Sequence, residues 1–231
     1  MMRRLYLIPI IHMSADMGSI APTLDQLASA KLRPEVWQKH KEIVAGFWDS
    51  ISRFLDSLNV SGFKVYQDGL VADEMEGLRI VTEGINQGSK NYEVLGKLLE
   101  RGAVLVKTED PSLVKQEYSY IVKMTRSKSL KERGVAALRY KLAQSKLLKQ
   151  RDDFIAGRIA ESLDEGETSI LFIGASHNVI LSLPPDIKVA QVKEVAKVKE
   201  YHRALVNKRR YDQYLQRLGE YLMSPVSDTS F

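Results

Sequence analysis

Two of the four histidines in this 231-residue chain close strongly apolar, strand-like runs. Leu5-Tyr6-Leu7-Ile8-Pro9-Ile10-Ile11 leads to His12, and Ser169-Ile170-Leu171-Phe172-Ile173-Gly174-Ala175-Ser176 leads to His177. Imidazole titrates near neutral pH, passes protons in either direction and ligates divalent metals, so a buried strand ending on it is a place to look for chemistry. Carboxylates follow the same rule. Phe63-Lys64-Val65-Tyr66 runs into Gln67-Asp68, and Ala103-Val104-Leu105-Val106-Lys107-Thr108 runs into Glu109-Asp110.

Two imidazoles with two or three carboxylates suit Zn, Mn, Co or Fe in an incomplete shell, where a bound water loses its proton near neutral pH. On this reading His12 and His177 bind the metal or position water. Glu109 or Asp68 is a further ligand or general base, and Arg151 holds an anionic group of the substrate with its planar fork. Asp152 or Asp153, beside it, is placed to orient a histidine. Gly174 and Ser176 are substrate-contact candidates, because small residues let backbone N–H groups approach an oxyanion or carboxylate.

Each of these residues also has a plain structural use. The histidines can rest on backbone carbonyls, Asp68 can cap a turn before Gly69, and Asp110 before Pro111 reads best as a helix cap. His40 and His202 lie in helical patterns among charges and are expected at the surface. GxSxG, P-loop, GxGxxG and HExxH patterns are all missing, and the lack of cysteine excludes disulfides and thiolate chemistry.

The elements that would position these groups alternate. The first strand runs from Arg4 to Ile11. An amphipathic helix from Pro34 is carried by Val36, Trp37, Ile43, Val44, Phe47, Trp48, Ile51, Phe54, Leu55 and Leu58, and Asn59 and Ser61-Gly62 stop it. A second strand, helices over 73–85 and 91–100, a third strand and two or three helices over 112–163 follow. A fourth strand over 168–173 and a short fifth over 187–192 lead to a helical remainder. The expected class is α/β, a mainly parallel sheet flanked by helices, with a helical insertion and a long C-terminal helix. The expected division is an α/β domain over 1–192, a helical segment over 193–223 and a flexible tail over 224–231. In such a sheet the carboxyl ends of the strands share one rim, which gathers His12, Asp68, Glu109 and His177.

The net charge of +5 is unevenly spread, and ten Lys and Arg between 123 and 151 are opposed only by Glu132. The band reads first as a solvated helical face and second as a polyanion surface, so nucleic acid is not the expected partner. A small-molecule or peptide substrate is. No run approaches the length of a membrane span, Pro9 and His12 argue against a signal peptide, and the expected location is cytoplasmic. The C-terminal helix, with Tyr201, Tyr211, Tyr214 and Tyr221, suits either a homo-oligomer contact or packing back on the sheet.

Arg151-Asp152-Asp153-Phe154-Ile155-Ala156 through Ile159, then Leu163, Gly166 and the strand closing on Ile173-Gly174-Ala175-Ser176-His177, resembles the C-terminal half of the TraB/GumN and erythromycin esterase/ChaN-like superfamily. Those proteins pair an RD-containing helix with a strand and a G-x-x-H motif, and their first strand ends in another. The matching position here reads Pro9-Ile10-Ile11-His12. The resemblance implies an α/β fold with the two histidines close together. It also implies one of several activities: metal-dependent peptidase, histidine-dependent esterase, haem binding or signalling. His12 and His177 match the motif histidines and Arg151 the helix arginine. The glutamate expected after the second strand is replaced by Gln67 or Asp68, with Glu109 as substitute.

Overall fold

The computed structural model describes residues 2–11, 13, 33–127, 129–206 and 213–227. His12 lies outside the described residues. The strands are β1 (Arg3–Ile10), β2 (Lys64–Gln67), β3 (Val104–Val106), β4 (Thr168–Gly174) and β5 (Ile187–Gln191), paired in the order β3-β2-β4-β1-β5 with every pairing parallel. The helices are α1 (Pro34–Asp56), α2 (Glu74–Asn86), α3 (Lys90–Glu100), α4 (Pro111–Arg126), α5 (Leu130–Ser162), α6 (Val195–Val206) and α7 (Gln213–Met223). This is the α/β class expected from the alternating pattern.

Strands buried on both faces read as continuous apolar runs, and the twofold alternation sorts them between two layers. Tyr6, Ile8, Ile10, Ile170 and Phe172 face a core shared with α1, α3, α6 and α7. Leu5, Leu7, Leu171 and Ile173 face Ile155, Ala156 and Ile159 of α5. Pro9 sits inside β1 without breaking the ladder. The Leu7 carbonyl accepts from Val192 N, so odd-numbered residues of β1 turn their polar backbone towards β5, whose pairing ends at Leu7↔Gln191. At Pro9 the missing donor has no strand to meet.

The insertion consists of two helices. Asp110 caps α4 as expected, its Oδ1 accepting from Ser112 N at 2.7 Å and Leu113 N at 3.1 Å. At 33 residues α5 spans about 50 Å. Among the described residues its first half packs along α4, and its buried positions begin at Leu147. α4 and the first half of α5 therefore form a two-helix arm that projects from the domain. The C-terminal segment is helical as α6 and α7. Leu215, Leu218 and Leu222 of α7 join the core around α1, which settles that helix's apolar side against the fold.

His40 departs from expectation. It is 5% exposed, and its Nδ1 lies 2.8 Å from the Tyr201 hydroxyl of α6. The charged neighbours that suggested a surface position point outward from α1, while His40 lies on the stripe with Ile43, Val44 and Phe47. Burial lowers its pKa to about 4, helped by His202, and the ring is neutral at physiological pH.

Candidate functional site

Three consecutive residues of α5 each reach a different loop, because successive side chains on a helix diverge by about 100°. Arg151 enters a carboxylate cluster, Asp152 holds His177, and Asp153 accepts from Ser182 Oγ at 2.8 Å and pairs with Lys149 at 2.7 Å. This is the physical content of the RDD sequence.

His177 is set by a tight turn after β4. Its N–H donates to the Gly174 carbonyl at 3.0 Å, which folds the chain back and buries the ring. Nδ1 lies 2.6 Å from Asp152 Oδ1, and the other oxygen of Asp152 accepts from Asn178 N at 2.9 Å. A carboxylate oxygen accepts, which assigns the donor role to Nδ1 and leaves Nε2 facing Asp68. Nε2 stands 3.7 Å from Asp68 Oδ2. That distance is too long for a direct hydrogen bond. Burial lowers the pKa of His177, but the Asp152 hydrogen bond and the Asp68 charge outweigh it, and the net direction is above 6.5.

Asp68 follows Tyr66 on the α5 side of β2. Its N–H donates to the Phe172 carbonyl, and its Oδ2 accepts from Gly174 N at 2.9 Å. Oδ1 accepts from Arg151 Nη2 at 2.6 Å. Glu109 is brought beside it because the backbone N–H groups of Thr108 and Glu109 both donate to the Leu70 carbonyl, while Thr108 Oγ1 accepts from Gln67 N. Glu109 is fully buried, and both its oxygens accept from Arg151. Burial raises Glu109 to about 7 against the pull of the guanidinium, and the Asp68 charge adds to the rise.

The geometry gives Arg151 a different partner from the anionic substrate group expected of it. Each of its three guanidinium nitrogens binds protein carboxylates: Nε binds Glu109, Nη1 binds Glu117, and Nη2 binds Asp68 and Glu109. Its charge is committed to holding three carboxylates, and their fields push its pKa up further. Glu109 is likewise enclosed, with no exposed surface and both oxygens held by Arg151. Gly174 is buried with its N–H spent on Asp68, and Ser176 is exposed at the outer corner of the turn.

Glu117 and Tyr140 were not singled out by sequence. Tyr140 on α5 donates to Glu117 Oε1 at 2.7 Å, and burial followed by that carboxylate raises the phenol's pKa. The available signal was the isolation of Glu117, the only acidic residue of α4. Gln67, at the position where the resemblance expects glutamate, points to the α1 side. Its Nε2 donates to the Asp68 carbonyl at 3.2 Å, while Oε1 is buried without a hydrogen-bond partner.

The structure thus joins Asp68, Glu109, Arg151, Asp152 and His177 on the carboxyl rim of β2, β3 and β4. Among the described residues no group of three His, Asp or Glu is arranged to hold a metal ion. His177 Nε2 and Asp68 Oδ2 are two donors facing one another, and the other oxygen of Asp68 is tied to Arg151. No described helix is long and apolar enough to cross a membrane. No known protein family, curated protein or solved structure matches the chain.

Proposed function

We propose that the chain is a hydrolase of peptide, amide or ester bonds in which His177 activates water. The observation that carries this reading is the Asp152–His177–Asp68 line, which ends at the rim where parallel sheets hold ligands. Asp152 fixes the tautomer with the proton on Nδ1, leaving the Nε2 lone pair to accept a proton from water. Asp68, anchored by Gly174 N and Arg151, orients that water and stabilises the imidazolium that forms. The Asp152 hydrogen bond and the Asp68 charge raise the proton affinity of His177 against its burial, as a base requires.

The likeness to the TraB/GumN and erythromycin esterase/ChaN-like group supports the same class of reaction and adds His12 as the expected partner of His177. The two donors described do not make a metal shell by themselves, so the steps above run through His177, Asp152 and Asp68 alone. The test uses purified full-length chain against nitrophenyl esters and fluorogenic peptides, with and without a chelator. Hydrolysis that survives chelation and falls by roughly 100-fold or more in His177→Ala is the expected result. Chelator-sensitive hydrolysis restored by Zn or Mn would transfer the role to a metal held by His12 and His177. Hydrolysis unchanged in His177→Ala, or none across the panel, overturns the proposal.

A further inference from the structure

The arm half of α5 carries two apolar stripes. Ala136, Tyr140, Ala143 and Leu147 recur at intervals of four, three and four on the side turned to α4, where Tyr140 meets Tyr120 with ring centroids 5.7 Å apart. Val135, Leu138 and Leu142 recur at three and four about 140° further round the helix. They stand 48%, 58% and 76% exposed. An exposed stripe with this spacing has the a/d pattern of a coiled-coil seam over one heptad. Val135 and Leu142 take the a positions and Leu138 the d position between them.

The flanks of that seam are mainly basic, with Glu132 at the first e position. Arg139, Lys141 and Lys146 occupy the e and g positions, and Lys131 and Lys149 extend the seam at either end. Between 111 and 150 the sequence has ten Lys and Arg against two Glu, while the whole chain is only +5. The remainder is therefore net acidic, and the charge belongs to the arm. Of the two glutamates, Glu117 is already committed to Arg151 and Tyr140.

We infer that this face of α5 docks an acidic amphipathic helix of a partner protein. Charge decides against a second copy of the chain, since basic e and g positions would face basic e and g positions, and like charges there are destabilising. Heptad spacing with no aromatic residue in the seam suits helix packing better than insertion at a lipid interface, where Trp and Phe anchor the apolar face. A nucleic acid would use the cations through its phosphates and leave Leu138 and Leu142 in water. An acidic helix uses both features at once, burying the leucines at a/d positions and pairing Glu at its own e/g positions.

The probe is a fluorescein-labelled peptide of three heptads with Leu at a and d and Glu at e and g, titrated with full-length protein by anisotropy. Its control is the same peptide with Lys at e and g. The acidic peptide is expected to bind and the lysine peptide not to. Leu138→Ser with Leu142→Ser is expected to weaken binding roughly tenfold or more, as for loss of a central apolar anchor. Arg139→Glu, Lys141→Glu and Lys146→Glu together are expected to reverse the preference towards the lysine peptide. All five positions are exposed, and unchanged thermal melting confirms that the variants are folded. Binding indifferent to the leucines overturns the proposal. So does capture of phosphatidylserine vesicles or duplex RNA by a protein that ignores the acidic peptide.

Discussion

Glu109→Gln isolates the proton held beneath Arg151. In the folded chain burial raises Glu109 from an ordinary 4.5 to about 7, and Arg151 only partly opposes it. Between those values the unfolded chain has released this proton and the folded chain has kept it, so wild-type stability falls as pH rises through the interval. At about 1.4 kcal/mol per pH unit the loss is roughly 3 kcal/mol. A domain of this size shifts its Tm by about 2–4 °C per kcal/mol, which makes roughly 6–12 °C. Glutamine keeps an acceptor for Arg151 and has no proton to lose. The Tm of Glu109→Gln minus that of the wild type, followed by circular dichroism from about pH 4 to about pH 8, is therefore expected to rise by that amount. Taking the difference removes His40, whose contribution runs the other way: its pKa is depressed to about 4, so that stability is present above 6.5 and lost as pH falls towards 4. A flat difference would mean that Glu109 ionises as it does in the unfolded chain. A difference that falls with pH would mean that Arg151 outweighs burial, and either result refutes the reasoning.

Arg151→Met leaves Asp68, Glu109 and Glu117 facing one another without a counter-charge and is expected to cost about 3–5 kcal/mol in a urea titration. Asp152→Asn removes the carboxylate from Nδ1 and is expected to lower the His177 pKa, read by NMR of the imidazole, together with kcat in any hydrolysis found. His40→Gln is expected to flatten the acid side of the stability profile, where the wild type loses about 3 kcal/mol between pH 6.5 and about 4. An unchanged acid limb would show that His40 is not the group responsible.

The fold was legible because β1 to β4 carry short apolar runs bounded by turn residues and the connections between them hold helical patterns. β4 over Thr168–Gly174 and the α4 cap at Asp110 both stand where their residues place them. The rim was legible for the same reason, since parallel strands must end on one side. The pairings on that rim were not. Whether Arg151 meets a substrate or Glu109 depends on how the 33-residue α5 crosses the sheet, and no local pattern records that crossing. His40 was misplaced because its charged sequence neighbours lie on the other side of α1, and only the arrival of Tyr201 from α6 buries it. Glu117 gained its role from α4 folding back along α5, a contact at a separation of 34 residues.

The charges of the cluster bear on how a water would be activated there. Asp68, Glu109, Glu117 and Asp152 face Arg151 and His177, four acids to two bases, in a place where little solvent is left to screen them. Such an excess favours the protonated forms of its members: burial raises Glu109 to about 7, and the Asp152 hydrogen bond and the Asp68 charge raise His177 against its burial. A proton taken from water by Nε2 thus moves into a field already favouring it, while Asp152 supplies the hydrogen bond that holds the resulting imidazolium in place. Arg151 fits this scheme as a fixed positive charge paired with Asp68, which stands 3.7 Å from the histidine it serves. Removing Arg151 would then cost more than packing, because Asp68, Glu109 and Glu117 would lose the counter-charge that holds them together and the orienting carboxylate its anchor.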